Sequence, residues 1–551
     1  MHKLNMQTII TNTRTKTIVP ITNINKINKR HLLKNVGNIN FCFVIPSYNN
    51  EKNIVKNLHS VINQTYTNWR VIYINDCSTD KTEELFFDII KKNKKVETKF
   101  TYIKNEKQYK QMYCKHMAYS LVNDLEIVCL LDGDDWLYDN KVLDKLYNYY
   151  KNTDTKIITS NYKIYSDGKI INNSIISPHA FYTPDEIINN KIRFSNNWYL
   201  KHLKTGYGIL FKSISDTYFK YNNNWLDTST DRAEMYSACE FSNGSVIQVN
   251  DLLHVYNKDN SILYNNSFYN TPNSKDRIQI LTHLKKMPIC KYYFPHTCII
   301  NMHEDLNKKI NMQKQMQTIN KDLPDFKYEF IDAVNGYQDI NTSKMYKEYQ
   351  TQYRNSHTIR DRGLLKLNYQ INKQHITLGS LGLLQSAFKL LESFVKDVNN
   401  SHIMILEEDV FVLKDFRYYL FINNKMLENK DLIYLGCHTD FHRIYNENVN
   451  DRDVFINIKK KNYLIYGTYA IIVSKKIAEY ILNFKLENII KLNLSWDLFL
   501  NYIRETTDMS FYLYFKEMFL PDVCKDGING KMDMDMSFYT DKGMNLDLYF
   551  R

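Results

Sequence analysis

Apolar and polar positions alternate along the first third of the chain in a repeating way. A run from Phe41 to Ile45 is continuously apolar, short and partly branched, and ends in Pro46-Ser47-Tyr48-Asn49-Asn50. Such runs suit strands buried on both faces of a parallel sheet. Ile54, Val55, Leu58, Val61 and Ile62 then recur at helical spacing behind Asn49 or Asn50 as a cap. A second strand is predicted over Val71 to Ile74. A second helix follows, with Leu85, Phe86, Ile89 and Ile90 inward and Asp80 and Glu83 at capping-box spacing. A weaker strand near Thr101 to Ile103, a helix over Tyr109 to Val122 and a strand from Ile127 to Leu131 continue the alternation. Strand and helix in turn imply an α/β fold with a mainly parallel, Rossmann-like sheet.

The pattern loosens between Lys258 and Tyr293, leaving one short helical stretch from Asp276 to Lys285, and then resumes. Strands are expected at Thr297 to Met302, Tyr328 to Val334 and His402 to Leu406. Helices are expected around Leu306, Ile310 and Met316, and along Leu381, Leu384, Phe388, Leu391 and Val395. At 551 residues the chain exceeds the size of one core, so two domains are expected. The division predicted is an arm over 1–37, a domain over 38–257, a linker over 258–293 and a second domain over 294–551.

Charge refines this picture. Of the net +12, seven units come from Lys3, Arg14, Lys16, Lys26, Lys29, Arg30 and Lys34, with no acidic residue before Gly37. A polar arm without hydrophobic periodicity reads as a solvated extension. A specific nucleic-acid partner is not expected, because no aromatic-basic motif accompanies it. No apolar run reaches transmembrane length and no signal-peptide core opens the chain, so a cytoplasmic location is expected. The nine cysteines include no Cys-x-x-Cys pair and fall largely in apolar strands, which fits a reducing compartment.

The chemistry gathers where strands end. Asp132, Asp134 and Asp135 stand together after the strand Ile127 to Leu131, with Gly133 letting the backbone turn. Three carboxylates so close repel one another, and a divalent cation, Mn²⁺ or Mg²⁺, removes the conflict. Ser47 to Asn49 and Asp76 to Asp80 also follow strand ends, so all three clusters should face one crevice. In the second half the strand before Glu407-Glu408-Asp409 delivers carboxylates in the same way. His438-Thr439-Asp440 matches part of an iron-oxygenase triad, but only His442 follows, too close to complete it.

Ile45-Pro46-Ser47-Tyr48-Asn49, Ser60-Val61-Ile62-Asn63-Gln64-Thr65-Tyr66, Asn75-Asp76-Cys77-Ser78-Thr79-Asp80 and Leu131-Asp132-Gly133-Asp134-Asp135-Trp136-Leu137 resemble, in order, the signatures of family 2 glycosyltransferases of the GT-A fold. The resemblance implies a nucleotide-sugar donor held by Pro46, Tyr48, Asn49, Asp76 and Asp132, with Asp76 near the base or ribose. It implies metal ligation at Asp132, Asp134 and Asp135. Asp231, in Thr230-Asp231-Arg232, resembles the segment carrying the catalytic base of an inverting enzyme, although a helix N-cap would also explain it. His254 is a more distant candidate. Asn75, Cys77 and Lys115-His116 depart from the family's usual Asp, Gly and Arg-Asn.

The second half resembles family 25 glycosyltransferases, which include lipooligosaccharide and procollagen galactosyltransferases. The matching pieces are Ile299-Ile300-Asn301-Met302, Asp332-Ala333-Val334-Asn335-Gly336, Ile405-Leu406-Glu407-Glu408-Asp409-Val410, Asp431-Leu432-Ile433-Tyr434-Leu435-Gly436 and Gly467-Thr468-Tyr469-Ala470. By resemblance Glu407 and Asp409 bind metal and diphosphate, and Asp497 is a catalytic residue near the acceptor; an ordinary helix-start role also explains Asp497. Glu304 to Asn307 lacks the family's arginines, and Gln385-Ser386-Ala387 replaces a Ser-His signature. These resemblances imply two tandem GT-A domains acting on a glycan or collagen-like acceptor. The rival reading is one active domain beside a silent sugar- or nucleotide-binding one. The composition, rich in Lys, Asn, Ile and Tyr, resembles proteins of giant DNA viruses, for which capsid-fibre glycans would be the acceptors.

Overall fold

A computed structural model describes residues 39–171, 182–189, 191–195, 197–259, 272–352, 376–437, 453–459, 465 and 467–521. The basic arm and the His438-Thr439-Asp440 segment lie outside the described residues.

The first sheet contains β1 (Phe41–Ser47), β2 (Trp69–Asn75), β3 (Phe100–Lys104), β4 (Ile127–Leu130), β5 (Trp136–Leu137), β6 (Ile157–Ser166), β7 (Lys169–Ile171), β8 (Lys204–Tyr207) and, after a small separate hairpin, β9 (Val246–Asn257). Their order is β3-β2-β1-β4-β8-β6-β9-β5, with β7 beside β6. The strands β3, β2, β1 and β4 run parallel; β8 is antiparallel to both neighbours, β9 is parallel to β6, and β5 is antiparallel to β9. Every residue of β1 and β4 is buried, as their unbroken apolar runs require.

The second sheet contains β10 (His296–Asn301), β11 (Tyr328–Asp332), β12 (His402–Glu407), β13 (Leu432–Gly436), β14 (Phe455–Asn457), β15 (Ala470–Ser474) and β16 (Phe511–Tyr514), in the order β11-β10-β12-β15-β13-β16-β14. Parallel pairings at β11-β10 and β10-β12 give way to antiparallel ones on both sides of β15, then a parallel and an antiparallel pairing. Apart from the extra parallel edge strand β3, this succession of senses matches the first sheet. In each half the acidic turn follows the parallel strand that borders the antiparallel one. The architecture recurs although no repeat is visible in the sequence.

Helix starts are where local sequence misleads. The first helix is Ile54–Ile62, preceded by Asn53 without a side-chain cap, so neither Asn49 nor Asn50 caps it. The capping box expected at Asp80 and Glu83 does not form, because the second helix begins at Thr82. Asp80 instead accepts from the backbone N–H of Thr82 at 3.0 Å and of Glu51 at 3.0 Å, tying two helix starts together. Burial would raise the Asp80 carboxyl, but the Thr82 and Glu51 hydrogen bonds outweigh it and hold the group below its usual value.

One apolar cluster runs from the first sheet into the second half, through Phe241, Tyr292, Phe416, Phe421 and Phe515. Across this seam Asn423 Nδ2 donates to the Ser213 carbonyl at 3.2 Å and Val454 N–H to Asp124 at 2.8 Å. Buried Arg193 pairs with Glu240 and donates to the Leu284 carbonyl, which pins the helix Pro272–Lys286 against the first half. That helix is longer than the stretch expected from Asp276 to Lys285.

Candidate active site

At the carboxyl end of β4 the chain makes a turn whose main chain is held by the side chains of two buried asparagines and by one backbone bond. Asn57, on the first helix, donates to the carbonyls of Asp132 at 3.1 Å and Asp135 at 2.8 Å. Asn257 Nδ2 donates to the Asp134 carbonyl at 3.1 Å, and Gly133 N–H to the Pro46 carbonyl at 3.1 Å. Gly133 is required by space rather than by a left-handed turn: a Cβ would stand 2.7 Å from Asn50 Nδ2 and 2.9 Å from the Pro46 carbonyl. With the backbone fixed, the three side chains separate.

Asp135 is buried, beside His202 and His254. Its carboxylate meets His254 Nε2 at 2.9 Å and accepts from Asn257 N–H at 2.8 Å. His254 is fully buried and stacks on His202 at 4.8 Å between ring centroids. Burial pushes the His254 imidazole down to about 3. The buried contact between His254 and Asp135 positions the acidic turn.

Asp132 stays half-buried toward the crevice and accepts from Gln111 Nε2 at 2.7 Å. Lys115 Nζ lies 3.7 Å from Asp132 Oδ1 and 3.1 Å from the fully buried Glu234, which also accepts from Tyr119 at 2.7 Å. Asp134 sits between like charges. Burial, then Asp135 and Asp132, push its carboxyl well above the usual range, opposed by its own backbone N–H. Oxygen-only donors whose ionisation is suppressed by their neighbours are a fitting site for a hard divalent cation.

Thr230 Oγ1 donates to Gln111 Oε1 at 2.8 Å, so the relay Thr230–Gln111–Asp132 ties the start of the helix Thr230–Phe241 to the acidic turn. Asp231 is the second residue of that helix; Ser229, in a left-handed conformation, precedes it. Asp231 is thus no N-cap. Burial disfavours the Lys115 ammonium, but the charge of Glu234, then that of Asp132 and more weakly that of Asp231, outweigh it and hold the group protonated. Gln111 and Glu234 had carried no signal in the sequence, because a Gln on a helix of low amphipathicity looks like a surface residue, and Lys115 stood out only as a departure from the family's usual Arg.

The other expected donor residues have mixed surroundings. Pro46 is buried near the end of β1, and Tyr48, just beyond that strand, is half-buried. Asn49 Oδ1 accepts from Thr79 N–H at 2.8 Å and so braces the second turn. Asp76 is buried, and its carboxylate accepts from Asn105 at 2.7 Å and from the backbone N–H groups of Tyr109 and Lys110 at 2.8 Å. Asp76 thereby holds the loop that leads into Gln111. Cys77 has φ of 63°, which explains why glycine is usual at this position.

The second half repeats the arrangement. Glu408 turns inward, accepting from Asn301 Nδ2 and from Met302 N–H at 2.8 Å. Glu407 and Asp409 remain at the strand end. Burial first, then the charges of Asp409 and Asp497, push the Glu407 carboxyl up to about 8. Asp497, second residue of the helix Trp496–Thr506, accepts from Gly467 N–H at 3.0 Å and makes no cap. Lys308 lies 3.6 Å from Asp409 and 3.4 Å from Glu408. Each half therefore presents two carboxylates at a strand end, a third from the first turn of a helix and one lysine.

Two family models match this chain: Glycosyl transferase family 2 over residues 42–219 and Glycosyltransferase family 25 (LPS biosynthesis protein) over residues 294–498. The chain carries a family 2 and a family 25 glycosyltransferase domain in tandem. The family 2 match ends before Asp231 and His254, so their placement rests on the geometry above. The poly(ribitol-phosphate) beta-N-acetylglucosaminyltransferase TarP of Staphylococcus aureus (strain N315) is 28% identical over 179 residues, 32% of this chain and 53% of that protein. The UDP-Glc:alpha-D-GlcNAc-diphosphoundecaprenol beta-1,3-glucosyltransferase WfgD of Escherichia coli is 28% identical over 149 residues, 27% of this chain and 53% of its own. The chain spans about half the length of the curated relatives it matches. Among solved structures, S. aureus TarS 1-349 in complex with UDP-GlcNAc aligns with a TM-score of 0.34 and 18% identity, covering 45% of this chain and 65% of that one. Among the described residues no helix is long and apolar enough to cross a membrane.

Proposed function

We propose that the family 2 domain transfers a sugar from a nucleotide-diphosphate donor to a hydroxyl of a glycan or protein, with inversion at the anomeric carbon. The observation that supports this reading is the relay Thr230–Gln111–Asp132, which ties the residue before Asp231 to the acidic turn. In the reaction the acceptor oxygen bonds to the anomeric carbon as the bond to the diphosphate breaks. Asp231 takes the hydroxyl proton as general base. Asp132 and Asp134 hold a Mn²⁺ or Mg²⁺ ion, which when bound neutralises charge developing on the diphosphate. Lys115 pairs with Asp132 and Glu234, and Asp135, His254 and Asn257 keep the turn in place. The relatives' names point to UDP-sugars: WfgD uses UDP-Glc, and both WfgD and TarP are named for β-linked products.

The division into units over 38–257 and 294–551, joined by 258–293, belongs to this proposal, as does a second transferase activity at Glu407, Asp409 and Asp497. The recurrence of strand sense and carboxylate placement favours that second activity over a silent binding domain. Buried free cysteines support a reducing, cytoplasm-like setting. A collagen-like protein remains the proposed acceptor for the family 25 domain.

Release of free nucleotide from a panel of UDP-sugars with Mn²⁺ tests the reading. Asp134→Asn should abolish turnover of one donor. Asp231→Asn should lower kcat about 10²- to 10⁴-fold while donor binding persists. Asp409→Asn should abolish turnover of a different donor; if it leaves every rate unchanged, the family 25 domain has no catalytic share. Metal-independent turnover, or an Asp231→Asn enzyme as fast as the parent, would overturn the mechanism.

A further inference from the structure

The base of the second sheet holds a group of side chains with no place in the chemistry above. His296 and Cys298 stand two residues apart on β10, hence on one face of the sheet. Glu329 is the direct register partner of Cys298 on β11, the edge strand of this sheet among the described residues. His296 Nε2 lies 2.8 Å and Cys298 Sγ 3.7 Å from Glu329 Oε1, and one ligand atom from each residue falls within 4.8 Å of the others. His296 opens β10, whereas Glu407 pairs in register with Ile300, the next-to-last residue of that strand, and Cys298 pairs with Ile405. Strand rise separates the level of Glu407 from that of His296 by about 13 Å and from that of Cys298 by about 7 Å.

We infer that His296, Cys298 and Glu329 form a second metal site, selective for a borderline cation such as Zn²⁺. The donor set decides the selectivity: a thiolate, an imidazole and one carboxylate suit Zn²⁺, whereas the oxygen-only turns at Asp134 and Glu407 suit Mg²⁺ or Mn²⁺. Geometry agrees with a tetrahedral ion. Bonds of about 2.0–2.1 Å to N and O and about 2.3 Å to S require N···O near ~3.3 Å and S···O near ~3.5 Å. The observed 2.8 and 3.7 Å bracket these values, and the difference is within reach of the Glu329 side chain, 54% exposed and free to swing. Of the three side chains only His296 lines the neighbouring cavity of about 260 Å³, together with Asp325, Asn400, Ser401 and His402, and a water from that cavity would serve as fourth ligand. Binding exchanges the Cys298 thiol proton for the ion, the proton leaving to solvent, and clips the edge strand β11 to β10. An ordinary His–Glu ion pair beside a buried thiol would show the same contacts without the affinity.

Cobalt distinguishes the two. Titrating Co²⁺ into the full chain, with Mn²⁺ present to fill the oxygen sites, should produce a thiolate-to-cobalt charge-transfer band at one equivalent, displaced by Zn²⁺. Cys298→Ala should lose the band, and so should His296→Gln, which alters a partly exposed side chain and preserves the fold. Zn²⁺ should raise the melting temperature of the parent more than that of either variant. Absence of the band in the parent, or an equal band in both variants, would overturn the assignment.

Discussion

Gln111 is the side chain on which the proposed active site turns, and its replacement by Glu is the sharpest perturbation available. Gln111 donates to Asp132 at 2.7 Å and accepts from Thr230 at 2.8 Å. A hydrogen bond to a charged acceptor contributes about 1.5–3 kcal/mol and a neutral one about 0.5–1.5 kcal/mol. Gln111 is half-buried, so water recovers part of this, and Gln111→Ala should cost about 1–2 kcal/mol. Gln111→Glu keeps the shape and the bond to Thr230 but turns the donor into a like charge facing Asp132. Two unit charges 4 Å apart repel by about 4 kcal/mol near a protein surface, roughly halved here because Asp132 is open to solvent. Two kcal/mol in the transition state is roughly a 30-fold loss of kcat/KM. Nucleotide release measured over a donor series, with melting curves on the same samples, separates loss of rate from loss of fold. Gln111→Glu turning over at the parent rate, with unchanged KM, would refute the claim that this relay positions the site.

Two further outcomes follow from single residues. Cys77→Gly should stabilise the protein by about 0.5–1 kcal/mol, because a left-handed non-glycine residue costs about 1–2 kcal/mol and glycine returns part of that as chain entropy; chemical denaturation reads it out. Glu407 titrates higher in the folded chain, up to about 8, than in the unfolded one, so its contribution is intact at low pH and lost as pH rises toward 8. In chelator, stability should therefore fall between about pH 4.5 and 8. Glu407→Gln should flatten that slope, and Mn²⁺ should raise the melting temperature more at pH 8 than at pH 5.

The run Phe41 to Ile45 and the run Ile127 to Leu131 determined two buried strands by themselves, since only a strand covered on both faces tolerates unbroken apolar residues. Their polar ends determined where chemistry would gather. Helix starts were less legible: Asp80 and Glu83 have capping-box spacing, yet Asp80 serves the Glu51 N–H of another helix. Local sequence lists the groups that could cap and leaves open which donor comes nearest. The same limit applies within the acidic turns. Asp132, Asp134 and Asp135 are chemically alike in sequence, and Glu407 and Glu408 are identical. Only packing against His254 and Asn257, 119 and 122 residues away, decides that Asp135 is a brace, and only Asn301 and Met302 decide it for Glu408. Tertiary structure likewise promoted Gln111, Lys115 and Glu234 to the site and joined His296, Cys298 and Glu329 across a strand register. The sequence alone determined what each strand end can offer chemically; which carboxylate faces the crevice depends on long-range contacts that no local pattern encodes.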